Sequence, residues 1–133
     1  MAKRMLSEFE SYDLLKQYGV PVPDHIIVKT AAEAARAAEK IGFPVVMKIH
    51  SPQIVHKSDA GGVMVSIGSA QAAQEAFDKI VGNAKAYNPE AEIRGVIVEQ
   101  QAAPGLELII GGKTDPAFGK VLTFGMGGTL VEL

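Results

Sequence analysis

The run PVVMKI, Pro44 to Ile49, is apolar except for one cation near its end, Lys48. Its length and composition suit a strand buried on both faces, which other elements of the chain must cover. The lysine adds a second constraint. A lone ammonium in such a strand must either carry its head out to the edge or meet an anion.

The flanking sequence supplies the cover. Ser7 and Glu10 form a capping box, Phe9, Tyr12, Leu15 and Tyr18 recur at helical spacing, and Gly19 provides a stop, which predicts a helix over about residues 8 to 18. Prolines in VPVPDHIIVK lead into a strand at His25–Lys29, and Thr30 with Glu33 forms a second capping box that opens a helix. On that helix Ala31, Ala34, Ala35, Ala38 and Ile41 share one face, and Gly42 ends it. GVMVSI is a further strand. Ser69 then caps a helix in which Ala73, Ala76, Phe77, Ile80, Val81 and Ala84 follow the helical period until Asn88-Pro89 breaks it.

IRGVIVEQ is another apolar strand, QAAPG a connector, and LELIIGGKTDPAFGKVLTFG two strands joined at Asp115-Pro116. The order α, β, α, β, β, α, β and hairpin predicts an α+β (α/β) chain. The shift in composition at QAAPG divides it into residues 1–100 and an incomplete second part, 101–133. GMGGTLVEL stops in apolar sequence, and a sheet edge left there would expose unpaired backbone groups. The expectation is a missing segment, a partner, or a second copy of the chain against that edge.

A net charge of -2 and a pI near 5.9 provide no basic field for nucleic acid or an anionic membrane. The absence of cysteine excludes disulfides and thiolate chemistry. No apolar run approaches the roughly 18 residues of a membrane span, and no apolar segment follows the basic N-terminus. A cytoplasmic protein without nucleic-acid or membrane partners is expected.

Between two strands lies SPQIVHKSDAGG, Ser51–Gly62. His56 is either a surface histidine or a neutral imidazole able to attack phosphorus, with Lys57 and the nearby amides stabilising the charge that develops. Gly61-Gly62 would let the backbone approach a phosphate without a side-chain clash, and Asp59 reads most simply as a turn residue. Two glycine motifs elsewhere are rejected. GGKT at Gly111–Thr114 lacks the P-loop's first glycine, because Glu107 stands at that position and Asp115-Pro116 follows where a helix should begin. GMGG lacks the third glycine and helix of a dinucleotide fingerprint. Glu99 and Gln100 end one strand. Glu107, inside the apolar strand ELII, either faces solvent or accepts from a ribose.

Together GFPVVMKIHSPQIVHKSDAGGVMV, VIVEQQAAPGLELIIGGKTDPAFGKVLTFGMGG and LLKQYGVPVPD resemble the ATP-grasp β chain or region of ADP-forming acetate–CoA ligases, from about Ser7 to Leu133. The resemblance implies an ATP-grasp fold, with a first subdomain up to about Glu99 and the start of a second. It implies that Lys48 contacts ATP phosphates, that Glu99 and Gln100 meet adenine, and that Glu107 meets ribose or base. Lys57, Ser58, Gly61 and Gly62 are expected to form the phosphate loop.

In the implied relay an acyl phosphate's phosphoryl group passes to a histidine on a CoA-binding α part, then to His56, then to ADP, with Mg²⁺ required. The loop would swing on Ser51-Pro52 and Gly61-Gly62. The metal ligands are expected on the missing C-terminal segment, with none in this chain, so the chain alone is expected to be a poor catalyst. An inactive nucleotide-binding or regulatory module is the alternative, and a purely structural domain the third.

Overall fold

The structure is a computed structural model that describes residues 4–127. The chain forms two compact units, Met1–Ala102 and Ala103–Leu133. In the first, α1 (Glu8–Gln17), β1 (His25–Val28), α2 (Ala31–Ile41), β2 (Val45–His50), β3 (Val63–Ile67), α3 (Ala70–Tyr87) and β4 (Gly95–Gln100) follow one another. The second holds a hairpin of β5 (Leu108–Asp115) and β6 (Gly119–Met126).

All three helices begin on the side chains that the sequence places there. Ser7, Thr30 and Ser69 each accept from the backbone N–H three residues on, satisfying a donor that the first turn leaves free. At Thr30 the box is not reciprocal. The Glu33 carboxylate accepts from the Lys29 N–H instead.

The strands of the first unit pair entirely antiparallel in the order β1-β4-β2-β3. Their register separates two faces. Val28, Val45, Met47, Ile49, Val96 and Val98 point to the side where α2 and α3 pack, closing a core with Ala34, Ala38, Phe77 and Ile80. The alanines of α2 let its backbone come close to α3 and the sheet. The opposite face carries His25, Ile97, Glu99, Lys48 and His50, and α1 lies there.

Two expectations about strands need correction. Pro44–Ile49 is not buried on both faces, because β2 alternates between buried and half-buried residues. On its second face Lys48 meets Glu8 of α1 and, like Val46 and His50, stays half-buried. The strand closed on both sides is central β4, buried from Gly95 to Glu99. Glu107 likewise stands outside the strand that begins at Leu108, exposed, its carbonyl accepting from the Gly127 N–H at 2.8 Å.

In the second unit Asp115 accepts from the Ala117 and Phe118 N–H groups and closes the hairpin turn. Ile110, Leu122 and Phe124 are exposed on the hairpin. The sequence GTLVEL at the C-terminus lies outside the described residues, and so does the sheet edge expected there.

Candidate functional site

Lys48 resolves its conflict by meeting anions of the chain itself. Its Nζ stands 2.6 Å from Glu99 Oε1 on neighbouring β4 and 2.6 Å from Glu8 Oε1 on α1. Glu8 Oε2 reaches Lys57 Nζ at 3.6 Å, tying the loop's lysine into the same group. The Tyr12 hydroxyl lies 2.7 Å from Glu99 Oε2 and 2.9 Å from Glu8 Oε1, and its single proton serves one carboxylate at a time. Its ring and that of Phe9 pack on His25. Two ammonium and two carboxylate groups thus meet under one helix.

The charges follow from burial and neighbours. Burial opposes the charged form of Glu8, but the hydrogen bonds and charges of Lys48, Tyr12 and Lys57 outweigh it and lower its pKa. Burial likewise opposes charge on Lys48, and Glu8 with Glu99 still raises its pKa. Tyr12 is pushed well above the usual phenol range by burial first, then by its hydrogen bond to Glu99.

A depressed carboxylate stabilises the fold above its unfolded pKa and loses that contribution as pH falls through its lower folded value. The Glu8 contribution should therefore be intact above the ordinary value of 4.5 and disappear in more acid solution. Urea midpoints measured between about pH 7 and about pH 3 should fall more steeply for the native chain than for Glu8→Gln.

Beside this group opens a cleft of about 240 Å³, lined among others by Arg4, Glu8, His50, Lys57 and Arg94. His50 follows Lys48 on the same face of β2, and burial, then Arg94 and Lys57, lowers its pKa. Glu10 lines it too and pairs with Arg4 at 2.9 Å, so its walls carry charges of both signs with one imidazole among them.

The loop from Ser51 to Gly62 is anchored at both ends. Ser51, Ile54 and Ala60 are buried. The Gly62 N–H donates to the Lys57 carbonyl at 2.8 Å, and Asn83 donates to the Gly61 carbonyl at 2.9 Å. Glycine is required there by packing: a Cβ on Gly62 would stand 2.5 Å from Ile49, and one on Gly61, at φ 67°, 2.8 Å from Asn83. The positions expected to act as hinges are thus held, and the exposed tip is Val55–Asp59, with Lys57 half-buried. His56 and Ser58 lie on that tip.

Of the residues singled out in the sequence, the structure brings together Lys48, Lys57 and Glu99. Gln100 is exposed at the end of β4, its N–H donating to the Asp24 carbonyl. Glu107 belongs to the other unit. Sequence reasoning missed Glu8, Tyr12 and His50. Glu8 follows the Ser7 cap and reads as a first-turn acid serving the helix dipole, and Tyr12 reads as part of an apolar stripe. The signal that could have found them was the need of Lys48 for an anion.

The profile of the ATP-grasp domain matches residues 1–133. The chain is 53% identical over 128 residues to a 4-hydroxybutyrate–CoA ligase (ADP-forming) of Nitrosopumilus maritimus, covering 96% of this chain and 18% of that protein. It is 47% identical over 130 residues to the acetate–CoA ligase (ADP-forming) I subunit beta of Pyrococcus furiosus, covering 98% and 56%. The chain therefore spans little more than half of the separate subunit and under a fifth of the longer relative.

Among solved structures, a dinucleotide-forming acetyl-coenzyme A synthetase 1 of Ca. Korarchaeum cryptofilum, with coenzyme A and Ca-AMPCP, superposes with a TM-score of 0.89 at 46% identity, over 92% of this chain and 54% of that one. The same enzyme with Mg-AMPPCP, its phosphohistidine segment pointing towards the nucleotide binding site, gives 0.74 at 39%, over 94% and 51%. From the family profile along its length and from these superpositions, this α+β chain belongs to the ATP-grasp domain family.

Proposed function

We propose that this chain is the ATP/ADP-binding part of an ADP-forming acid–CoA ligase, and that His56 carries a phosphoryl group to ADP. The observation that carries the reading is sustained identity to ADP-forming CoA ligases along nearly the whole chain. The geometry agrees with it, because Lys48 and Lys57 converge on Glu8, and His56, the residue before Lys57, is exposed.

Lys48 contacts nucleotide phosphate, Glu99 and Gln100 meet adenine, and Glu107 meets ribose or base. Lys57, Ser58, Gly61 and Gly62 frame the phosphate loop. One imidazole nitrogen of His56 attacks the phosphorus of a phosphohistidine on the CoA-binding partner, and the donor N–P bond breaks as the new one forms. A terminal oxygen of ADP then attacks the same phosphorus, the His56 N–P bond breaks, and ATP results. Lys57 offsets the charge that grows on the phosphoryl oxygens.

Among the described residues no group of three or more His, Asp or Glu side chains could hold a metal ion. Mg²⁺ accompanies the nucleotide phosphates in this reading, and its protein ligands are assigned to the remainder of the ATP-grasp. The partners are a CoA-binding α subunit or domain, the remainder of the ATP-grasp and, at the hairpin's open edge, a further strand or a second copy. A cytoplasmic location goes with this metabolic role. No described helix is long and apolar enough to cross a membrane.

Binding to the folded state alone stabilises it by about 2.7 kcal/mol at about 100 times the Kd. Mg-ADP should therefore raise the melting temperature of the native chain, and Lys48→Met should lose most of that rise. An equal rise in both would remove Lys48 from the nucleotide site.

A further inference from the structure

Glu8 joins two ammonium groups that come from separate parts of the chain, Lys48 on β2 and Lys57 in the loop. Each lysine side chain is only 23% exposed, so both are poorly neutralised by solvent and an anion between them is needed. The one present is supplied by α1, a ten-residue helix with no buried residue. It is held by Glu8, by the Tyr12 hydroxyl and by the Phe9 and Tyr12 rings on His25. An element with so little buried surface detaches at low cost.

The two carboxylates on Lys48 are not equivalent. Glu99 belongs to the central strand and its side chain is 6% exposed, whereas Glu8 is 19% exposed on a helix outside the core. A phosphate group has three acceptor oxygens and more negative charge than a carboxylate, and so competes well for two ammonium groups. From these observations we infer that Glu8 is a displaceable counter-ion. In the free chain it neutralises Lys48 and Lys57 and ties α1 to the sheet. A phosphate-bearing ligand takes its place and frees α1 from that tie, while Glu99 keeps Lys48 in position.

This inference rests on Lys48 being the nucleotide-phosphate contact. It implies that the native chain binds phosphate more weakly than its lysines allow, since part of the affinity is spent on displacing Glu8.

Calorimetric titration with Mg-ADP of the chain assembled with the remainder of its ATP-grasp, beside amide hydrogen exchange across α1, tests it. Glu8→Gln keeps the size of the side chain and removes its charge, and should bind about 3- to 10-fold tighter, the range of a partly shielded ion pair. Tyr12→Phe removes the hydroxyl that bridges Glu8 and Glu99 while keeping both carboxylates and both lysines, and should shift affinity the same way by less. In the native chain, exchange in α1 should accelerate on binding. Equal or weaker binding by Glu8→Gln, or slower α1 exchange in the complex, overturns the inference and leaves the nucleotide reading standing if Lys48→Met still binds more weakly. Absence of binding by every form removes both.

Discussion

His56→Asn is expected to abolish acid-labile phosphate on this chain. The measurement assembles it with the remainder of its ATP-grasp and supplies ATP labelled at the terminal phosphate, running the transfer in reverse. Asparagine keeps a polar side chain of similar reach, but its amide nitrogen is no nucleophile towards phosphorus, so the covalent intermediate has nowhere to form. Loss of an essential nucleophile costs orders of magnitude, and labelling should drop by more than about 100-fold. The chain holds three histidines. His25 is enclosed by Phe9 and Tyr12, His50 lies half-buried in the cleft, and only His56 is exposed. His50→Asn and His25→Asn should therefore retain the label. If His50→Asn loses it while His56→Asn keeps it, the carrier is the cleft imidazole and the proposed relay fails.

Gly95→Ala should have the largest effect on stability. Gly95 opens central β4 at φ 141°, and a Cβ there would stand 2.5 Å from the Val28 carbonyl oxygen on β1. That neighbour is backbone in a paired strand and cannot move aside as a side-chain tip would. Overpacking and backbone strain together cost about 3 kcal/mol or more. At about 4–8 °C per kcal/mol for a unit of this size, melting should fall by more than about 12 °C. Gly19→Ala is the control: its φ is 76° with nothing within 4 Å of the added atom, so only the backbone strain applies. Equal losses at the two sites would show that the collision with Val28 is unimportant.

Much of the fold was legible because it is local. Ser7, Thr30 and Ser69 stand beside the backbone donors they satisfy. The spacing of Ala73, Ala76, Phe77, Ile80 and Ala84 marks the face that α3 buries. The β5–β6 turn rests on Asp115, whose side chain accepts from groups two and three residues away. Where cover by distant elements mattered, the sequence misled. Composition made β2 seem enclosed, yet its second face stays half-buried beside α1, and full burial fell to β4 at the sheet's centre.

The candidate site divides in the same way. Lys48 announced a problem by itself, since an ammonium among apolar residues requires an anion or an escape to water. That the anion is a pair of carboxylates, forty and fifty-one residues away in sequence at Glu8 and Glu99, depends on strand order and on the face α1 occupies. Gly61 and Gly62 were visible as permissive positions, but their contacts with Asn83 and Ile49 exist only once the loop packs against α3 and β2.

By itself, then, the sequence determined the elements, their caps and the unmet demand of Lys48, because period, capping and burial of charge act on a residue and its immediate neighbours. Only the tertiary structure decided that Glu8 and Glu99 meet that demand, and that Lys57 joins them. Those groups are separated along the chain, and antiparallel pairing with a helix laid across one face is what brings them within ion-pairing distance.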